Sequence, residues 1–275
     1  MTIHRTAEGT PYLTGPTVIP LSWPATLAGS MVERRRFQDE FLAPLGFGDD
    51  YFEEPQARVL PTEQAAHVAK LAGQLCYMSF GPKRTKWSDR ERYFTNLVEQ
   101  GHESVFEHAH FSFLFFGISR SCTHELVRHR HLGYSQLSQR YVNGEMLRFV
   151  ERPEFAASPV LHDRFMARCD RTRVEYEEIA AQLMEEKLAR IQNGDEPDQK
   201  VTQTEKRKAV NQAARAILPN ETEAPIVVSG NLRALRGVLK LRRSKHAEPE
   251  IRALSNLLFA EVKAMAPEFF PDFKE

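Results

Sequence analysis

The densest run of chemistry-bearing side chains is Arg128-His129-Arg130-His131-Leu132-Gly133-Tyr134-Ser135-Gln136-Leu137-Ser138-Gln139-Arg140-Tyr141. It puts three arginines, two serines and two glutamines into fourteen residues. A guanidinium grips phosphate as a planar fork, and hydroxyls with backbone N–H groups complete the anion's shell. The stretch therefore reads as a holder for a phosphorylated ligand. The plainer alternative is a helix C-terminus whose basic residues complement the dipole. That accounts for Arg128 and Arg130 but leaves Ser138 and Arg140 unexplained.

A second constellation runs from Asn231 to Arg242. At 3.6 residues per turn, Arg233, Gly237 and Leu241 fall on one stripe, and Asn231 and Arg242, eleven apart, share a side. Glycine in a helix interior costs about 1 kcal/mol against alanine. Gly237 thus marks either close approach of a ligand or backbone, or a helix packed tightly on a neighbour. A third segment, Gly101-His102-Glu103-Ser104-Val105-Phe106-Glu107-His108, is polar and turn-like. The fourth feature is Arg215, one turn after Asn211 on an alanine-rich helical face, where an arginine is usually just solvated.

Six of the ten histidines fall between 102 and 131, which raises a metal site. There is no H-E-x-x-H and no cysteine or carboxylate at ligand spacing, and arginines flank His129. Hydrogen-bonded or surface roles suit His110, His124 and His131 better. Cys76, Cys122 and Cys169 form an odd, sparse set without C-x-x-C spacing, which fits a reducing cytoplasm rather than a disulfide framework.

The elements that must carry these residues follow from periodicity. The first 61 residues hold seven of the 16 prolines and read as an extended arm with one short helix over 31–41. Regular patterning starts after Pro61 and gives a second, larger region over 62–275. Helices are expected over 62–77 with Thr62 as N-cap, 87–101, 118–132, 160–192, 204–218, 231–243 and 248–264. Strands are expected over 108–117, where Phe111, Phe113 and Phe115 alternate, over 147–150 and over 226–228. Helix and strand are interspersed without a βαβ rhythm, so the class is α+β.

Composition narrows the function. The chain has 275 residues, with Lys+Arg 37 against Asp+Glu 37. A chain of this size buries about 75% of its unfolded surface, enough for a real core. Zero net charge argues against a general nucleic-acid binder, which needs excess Lys and Arg to displace counterions. No apolar run reaches about 18 residues, so no membrane span is expected, and the N-terminus lacks an apolar signal-peptide core.

Taken together, these segments resemble the flavin-dependent thymidylate synthases. That family is marked by Arg-His-Arg, seven residues, then Ser, here Arg128-His129-Arg130 and Ser138, continuing to Arg140-Tyr141. The His-Glu-Ser-x-Phe-Glu-His block is present at 102–108. So are Ala-Arg-x-x-Leu-Pro at 214–219, Asn-x-Arg at 231–233 and Leu-Arg…His-Ala…Glu-Ile at 241–251. The five blocks span roughly residues 65–275 in the right order.

The resemblance implies an α+β homotetramer with active sites shared between subunits. It implies FAD as cofactor, NADPH and methylenetetrahydrofolate as co-substrates, and methylation at carbon 5 of dUMP or, in diverged members, UMP. It matches Cys76, His102, Ser104, Glu107, Arg128, His129, Arg130, Asn231, Arg233, Gly237 and Leu241 to flavin-contacting positions. It matches Glu125, Arg128, Gln136, Ser138, Gln139, Arg140, Arg215 and Arg242 to nucleotide-contacting positions. Arg242 is the candidate for stabilising charge on the pyrimidine, and Ser138 is read as a phosphate ligand rather than a nucleophile. The chain departs from the family at Gly133, usually Ser, and at Gly237, often His or Asn. The rival readings are a non-catalytic nucleotide or nucleic-acid binder, a degenerate structural subunit and a metal hydrolase.

Overall fold

The computed structural model describes residues 2–24, 35–47, 63–142, 147–194 and 202–273. Two compact units share the chain. The first comprises 1–17, 115–128 and 134–227; the second comprises 18–114, 129–133 and 228–275. The architecture is α+β, as the interspersed periodicities require.

The first unit contains strands β1 (His4–Arg5), β2 (Pro11–Leu13) and β6 (Phe149–Val150) as one sheet in the order β1-β2-β6. β1 and β2 are antiparallel, with His4 opposite Tyr12, and β2 runs parallel to β6, with Tyr12 opposite Phe149 and Leu13 opposite Val150. The proline-rich arm is therefore partly a sheet. Proline at the first position of β2 is tolerated because a strand end needs no ladder donor there. Helices α3 (Arg120–Leu126), α4 (Pro153–Ala156), α5 (Pro159–Gln192) and α6 (Gln203–Ala214) complete the unit. Its core gathers Tyr12, Phe149, Phe165 and Cys169. Burial pushes the Cys169 thiol well above its ordinary value. The helix expected over 204–218 runs from Gln203 to Ala214 and is capped by Thr202: its hydroxyl accepts from Glu205 N–H at 3.3 Å while Glu205 accepts from Thr202 N–H at 2.8 Å, a reciprocal box that satisfies two end donors.

The second unit holds α1 (Gln64–Cys76), α2 (Arg90–Glu99), α7 (Leu232–Arg242) and α8 (Pro249–Met265). Thr62 and residues 31–34 and 48–61 lie outside the described residues; Phe37–Leu42 is a π-helical turn. Phe94 and Phe106 pack on Phe269 with ring centroids 4.6 and 4.8 Å apart. A 3₁₀ turn, Glu103–His108, leads into β4 (His110–Phe116). Phe111, Phe113 and Phe115 are buried along β4, as their alternation predicts.

A four-stranded sheet has the order β3-β4-β7-β5, with β3 at Thr17–Ser22, β5 at Gly133–Gln136 and β7 at Ile226–Asn231. The main correction to the expected elements lies here. The helix expected over 118–132 ends at Leu126. Tyr134 donates its hydroxyl proton to the Leu126 carbonyl at 2.7 Å, which satisfies an orphan acceptor at the helix end. Burial pushes that phenol's pKa up to about 12, so it stays a donor. The Arg-His-Arg triplet consequently sits in the connection between α3 and β5, and Gly133 opens β5.

Candidate functional site

Helix α7 is built to present one face. Asn231 caps it, its Oδ1 accepting from Ala234 N–H at 2.8 Å, and Leu232, Leu235 and Leu239 bury the opposite side. The helix start is tied to the β4 side by Leu232 N–H donating to the Ala109 carbonyl at 2.8 Å. Along the other face Asn231, Arg233, Ala234, Gly237, Val238 and Leu241 line a cavity of about 650 Å³, which Glu107, His129, His131 and Leu132 complete. A volume of this order is typical of cofactor sites.

Two close contacts shape its walls. A Cβ on Gly230 would lie 2.2 Å from Leu132 Cδ2, so glycine there is what lets Leu132 rest against β7. A Cβ on Gly237 would meet nothing within 4 Å. That removes tight helix packing as the reason for Gly237 and leaves the open face of the cavity.

The charges are arranged in pairs. Arg233 Nη1 donates to Glu107 Oε1 at 2.5 Å, with both side chains about half exposed. Arg242 Nε donates to His129 Nε2 at 3.0 Å. Accepting that bond requires the neutral imidazole. Burial, and then the Arg242 charge, hold the His129 pKa below the ordinary histidine value, so the geometry and the electrostatics agree.

The cavity fits a flavin dinucleotide by its donor set. Arg233 and the histidines offer cationic and N–H groups suited to a diphosphate. Leu132, Ala234, Val238 and Leu241 offer an apolar wall for a ring, and Gly237 leaves room where a side chain would project. Of the residues matched to flavin positions, Glu107, His129, Asn231, Arg233, Gly237 and Leu241 line this cavity. His102 lines a separate cavity of about 230 Å³ with Gln74, Tyr93 and Asn96. Cys76, exposed, ends α1, and Ser104 and Arg130 are exposed on the turns that carry them.

The residues matched to nucleotide positions, Arg242 apart, belong to the first unit. Gln136 donates through Nε2 to Thr123 Oγ1 at 2.8 Å. Ser138 Oγ accepts from Arg140 N–H at 3.3 Å, and Asn211 Nδ2 donates to the Arg140 carbonyl at 3.4 Å. Arg140 Nε is buried and has no hydrogen-bond partner among the described residues, an orphan donor that an anion would satisfy. Arg215 is half-buried on the 3₁₀ turn after α6. Glu125 is half-buried in the last turn of α3, its carbonyl accepting from Arg128 N–H at 3.3 Å, and Arg128 itself is exposed. Gln139 lines a further cavity of about 330 Å³ together with Leu137, Arg5, Arg148 and Tyr176; Ser138 and Arg140 do not.

Sequence reasoning missed Leu132, Ala234 and Val238 and gave His131 a surface or structural role. Ala234 is legible in hindsight: 234, 237, 238 and 241 follow the i, i+3, i+4, i+7 spacing of one helix face. Nothing local announces Leu132. Among the described residues no group of three or more His, Cys, Asp or Glu side chains is placed to hold a metal ion, and no helix is long and apolar enough to cross a membrane.

Comparison with known proteins places these features. The sequence model of the family described as "Thymidylate synthase complementing protein" matches residues 58–268. A flavin-dependent thymidylate synthase of Mycobacterium sp. (strain JLS) is 44% identical over 212 residues, covering 77% of this chain and 81% of the relative. The enzyme of the same name from Mycobacterium tuberculosis (strain ATCC 25177 / H37Ra) is 42% identical over 207 residues, covering 75% and 79%. Among solved structures, thymidylate synthase X from Helicobacter pylori with FAD and dUMP aligns with a TM-score of 0.51 at 21% identity, over 75% of this chain and 93% of that one. That structural likeness bears on the fold.

Proposed function

The chain belongs to the flavin-dependent thymidylate synthase family, and from that premise we propose that it reductively methylates carbon 5 of dUMP, with FAD as cofactor and NADPH and methylenetetrahydrofolate as co-substrates. The observation that carries this reading is the convergence of Glu107, His129, Asn231, Arg233, Gly237 and Leu241 on one cavity beside α7. Two of the relatives' names give the chemistry class, and the Helicobacter pylori protein was solved with FAD and dUMP.

When bound, the flavin supplies the hydride chemistry that no side chain offers. The protein's own residues do the rest. Carbon 5 of uracil is a poor nucleophile, and it is activated when the ring takes on enolate-like negative charge at the pyrimidine oxygen and N3. A fixed cation there lowers the barrier because it needs no reorganisation as the charge develops. Arg242 takes that role. Its bond to neutral His129 fixes the guanidinium plane without cancelling the charge. Ser138, Arg140 and Arg215 hold the phosphate, with the orphan Nε of Arg140 as the donor in waiting. Glu125, Arg128, Gln136 and Gln139 serve the remaining nucleotide contacts. Binding energy at the phosphate is thereby spent on orientation at carbon 5. His102, Ser104, Arg130 and Cys76 extend the flavin contacts beyond the main cavity.

We place the two residue sets, Arg128 and Arg242 apart, in different subunits of a homotetramer with shared sites. What supports this, besides the resemblance, is that within one chain the flavin set, Arg128 apart, belongs to the second compact unit and the nucleotide set, Arg242 apart, to the first. The test is a competition: purified protein with FAD, NADPH, methylenetetrahydrofolate and equal dUMP and UMP, with products identified by mass spectrometry. Thymidylate as the main product upholds the reading. Mainly 5-methyl-UMP would replace dUMP as the substrate, and no methylated product would overturn the reading.

A further inference from the structure

Arg236 has the largest fully buried side chain in the described protein, at 0% exposure, and it is one of the few buried charges. A buried guanidinium persists only where its surroundings compensate it. Here the compensation comes from two directions. Nη2 reaches Glu103 Oε1 at 2.9 Å and both carboxylate oxygens of Asp272 at 3.0 Å, and Nη1 donates to the Phe269 carbonyl. Phe106, Phe270 and Phe273 surround the group at 5.2 to 5.7 Å. Lys240 bridges the same carboxylates, at 3.3 Å to Glu103 and 3.1 Å to Asp272. The positive partners hold the Glu103 and Asp272 carboxyls below their ordinary pKa values despite burial, which alone would raise them.

The position of this cluster matters more than its strength. Glu103 opens the 3₁₀ turn whose later residue Glu107 lines the α7 cavity and pairs with Arg233. Turn and helix are thus joined by two rungs, Glu103 with Arg236 and Glu107 with Arg233. The outer rung is about half exposed, and exposed pairs contribute little and exchange partners readily. The inner rung is anchored on a fully buried guanidinium. An anionic ligand entering the cavity can therefore take Arg233 from Glu107 while the inner rung keeps the turn in register. Asp272, the far arm of the clamp, lies past residue 268, where the match to the family model ends.

We propose that Arg236 is a positioning residue of the flavin cavity: clamped by Glu103 and Asp272, it fixes the turn bearing Glu107 against α7 and frees Arg233 to exchange Glu107 for the ligand's diphosphate. The inference rests on the reading of this cavity as the flavin site. It makes the C-terminal residues 269–272 part of the cofactor apparatus, although they do not line the cavity.

The test is FAD titration of the full-length protein, well below the melting temperature of every variant used, followed by kcat and dUMP KM at saturating FAD. The wild type is measured first. Failure of the wild type to bind FAD would overturn the flavin reading itself. If it binds, Arg236→Met should raise the FAD dissociation constant by about tenfold or more, as positional errors of the order of 1 Å can do. The dUMP KM should stay close to wild type once FAD saturates. Arg236→Lys, which keeps the charge without the fork, should recover part of the affinity. Glu103→Gln and Asp272→Asn weaken the clamp while leaving Arg236 in place, so they decide the matter if Arg236→Met does not fold. Their expected result is weakened FAD binding with an altered bound-flavin spectrum. Folded clamp variants with wild-type FAD affinity and spectrum would overturn the proposal.

Discussion

Replacing Gly237 separates the helix from the cavity it faces. The residue is exposed in the middle of α7, and a Cβ there has no heavy atom within 4 Å. Gly237→Ala should therefore gain the ordinary helix-propensity difference, about 0.5–1 kcal/mol. For a chain of this size 1 kcal/mol moves the melting temperature by roughly 2–4 °C, so the ligand-free protein should melt about 2 °C higher. Gly237→Trp meets no protein atom at its Cβ either, but its indole must occupy the cavity lined by Arg233, Val238 and Leu241. It should fold and still lose FAD affinity by at least about tenfold, or ~1.4 kcal/mol. Thermal unfolding followed by circular dichroism reads the first effect, and quenching of flavin fluorescence reads the second. A destabilised Gly237→Ala, or a folded Gly237→Trp with wild-type FAD affinity, would refute the assignment of this face to the cofactor.

Further outcomes follow from the same geometry. His129 titrates below the ordinary histidine value in the folded protein, so the unfolded chain binds more protons in the window between the two pKa values. Its contribution to stability should rise with pH across that window and flatten above the unfolded value; Arg242→Ala should raise the His129 pKa, as NMR titration would show, and abolish turnover. Glu103 and Asp272 have the opposite sign: their depressed pKa values add stability that is present above the unfolded carboxylate values and lost as pH falls through the folded ones. Acid unfolding of Glu103→Gln should show a shallower pH dependence there. Ser119 caps α3 by accepting from Cys122 N–H at 3.1 Å, and Ser119→Ala should cost about 1 kcal/mol in denaturant unfolding. A thiol reagent under native conditions should modify exposed Cys76 and spare buried Cys169, whose thiol burial pushes up.

Much of the site was legible because its chemistry is periodic. The stripe of Arg233, Gly237 and Leu241 follows directly from helix geometry and does line one cavity. The strand with Phe111, Phe113 and Phe115 was equally plain, since alternation leaves no helical reading. What the sequence hid depends on distant partners. Strand β2 pairs with β6, 137 residues away, and the prolines of the first 61 residues spoke only for extended chain. The helical pattern over 118–132 continues past Leu126, but the Tyr134 hydroxyl caps that carbonyl and turns the chain toward β5. His131 looked like a surface residue because its cavity is made by β7 and α7, a hundred residues on. Nothing local in the sequence marks Arg236; its burial is set by Glu103 and Asp272, neither of which is near it in sequence.

The central claim is that the methyl group is completed with electrons from NADPH by way of a flavin. The transferred methylene carbon must gain two electrons to become methyl. If the nicotinamide supplies them, the folate leaves as tetrahydrofolate; if the folate itself supplies them, it leaves as dihydrofolate. The most direct measurement is therefore the folate product and the NADPH consumed per thymidylate formed, with purified protein, FAD, dUMP and methylenetetrahydrofolate under anaerobic conditions. The account predicts tetrahydrofolate and one NADPH oxidised for each thymidylate. Dihydrofolate as the product, with no NADPH consumed, would contradict it.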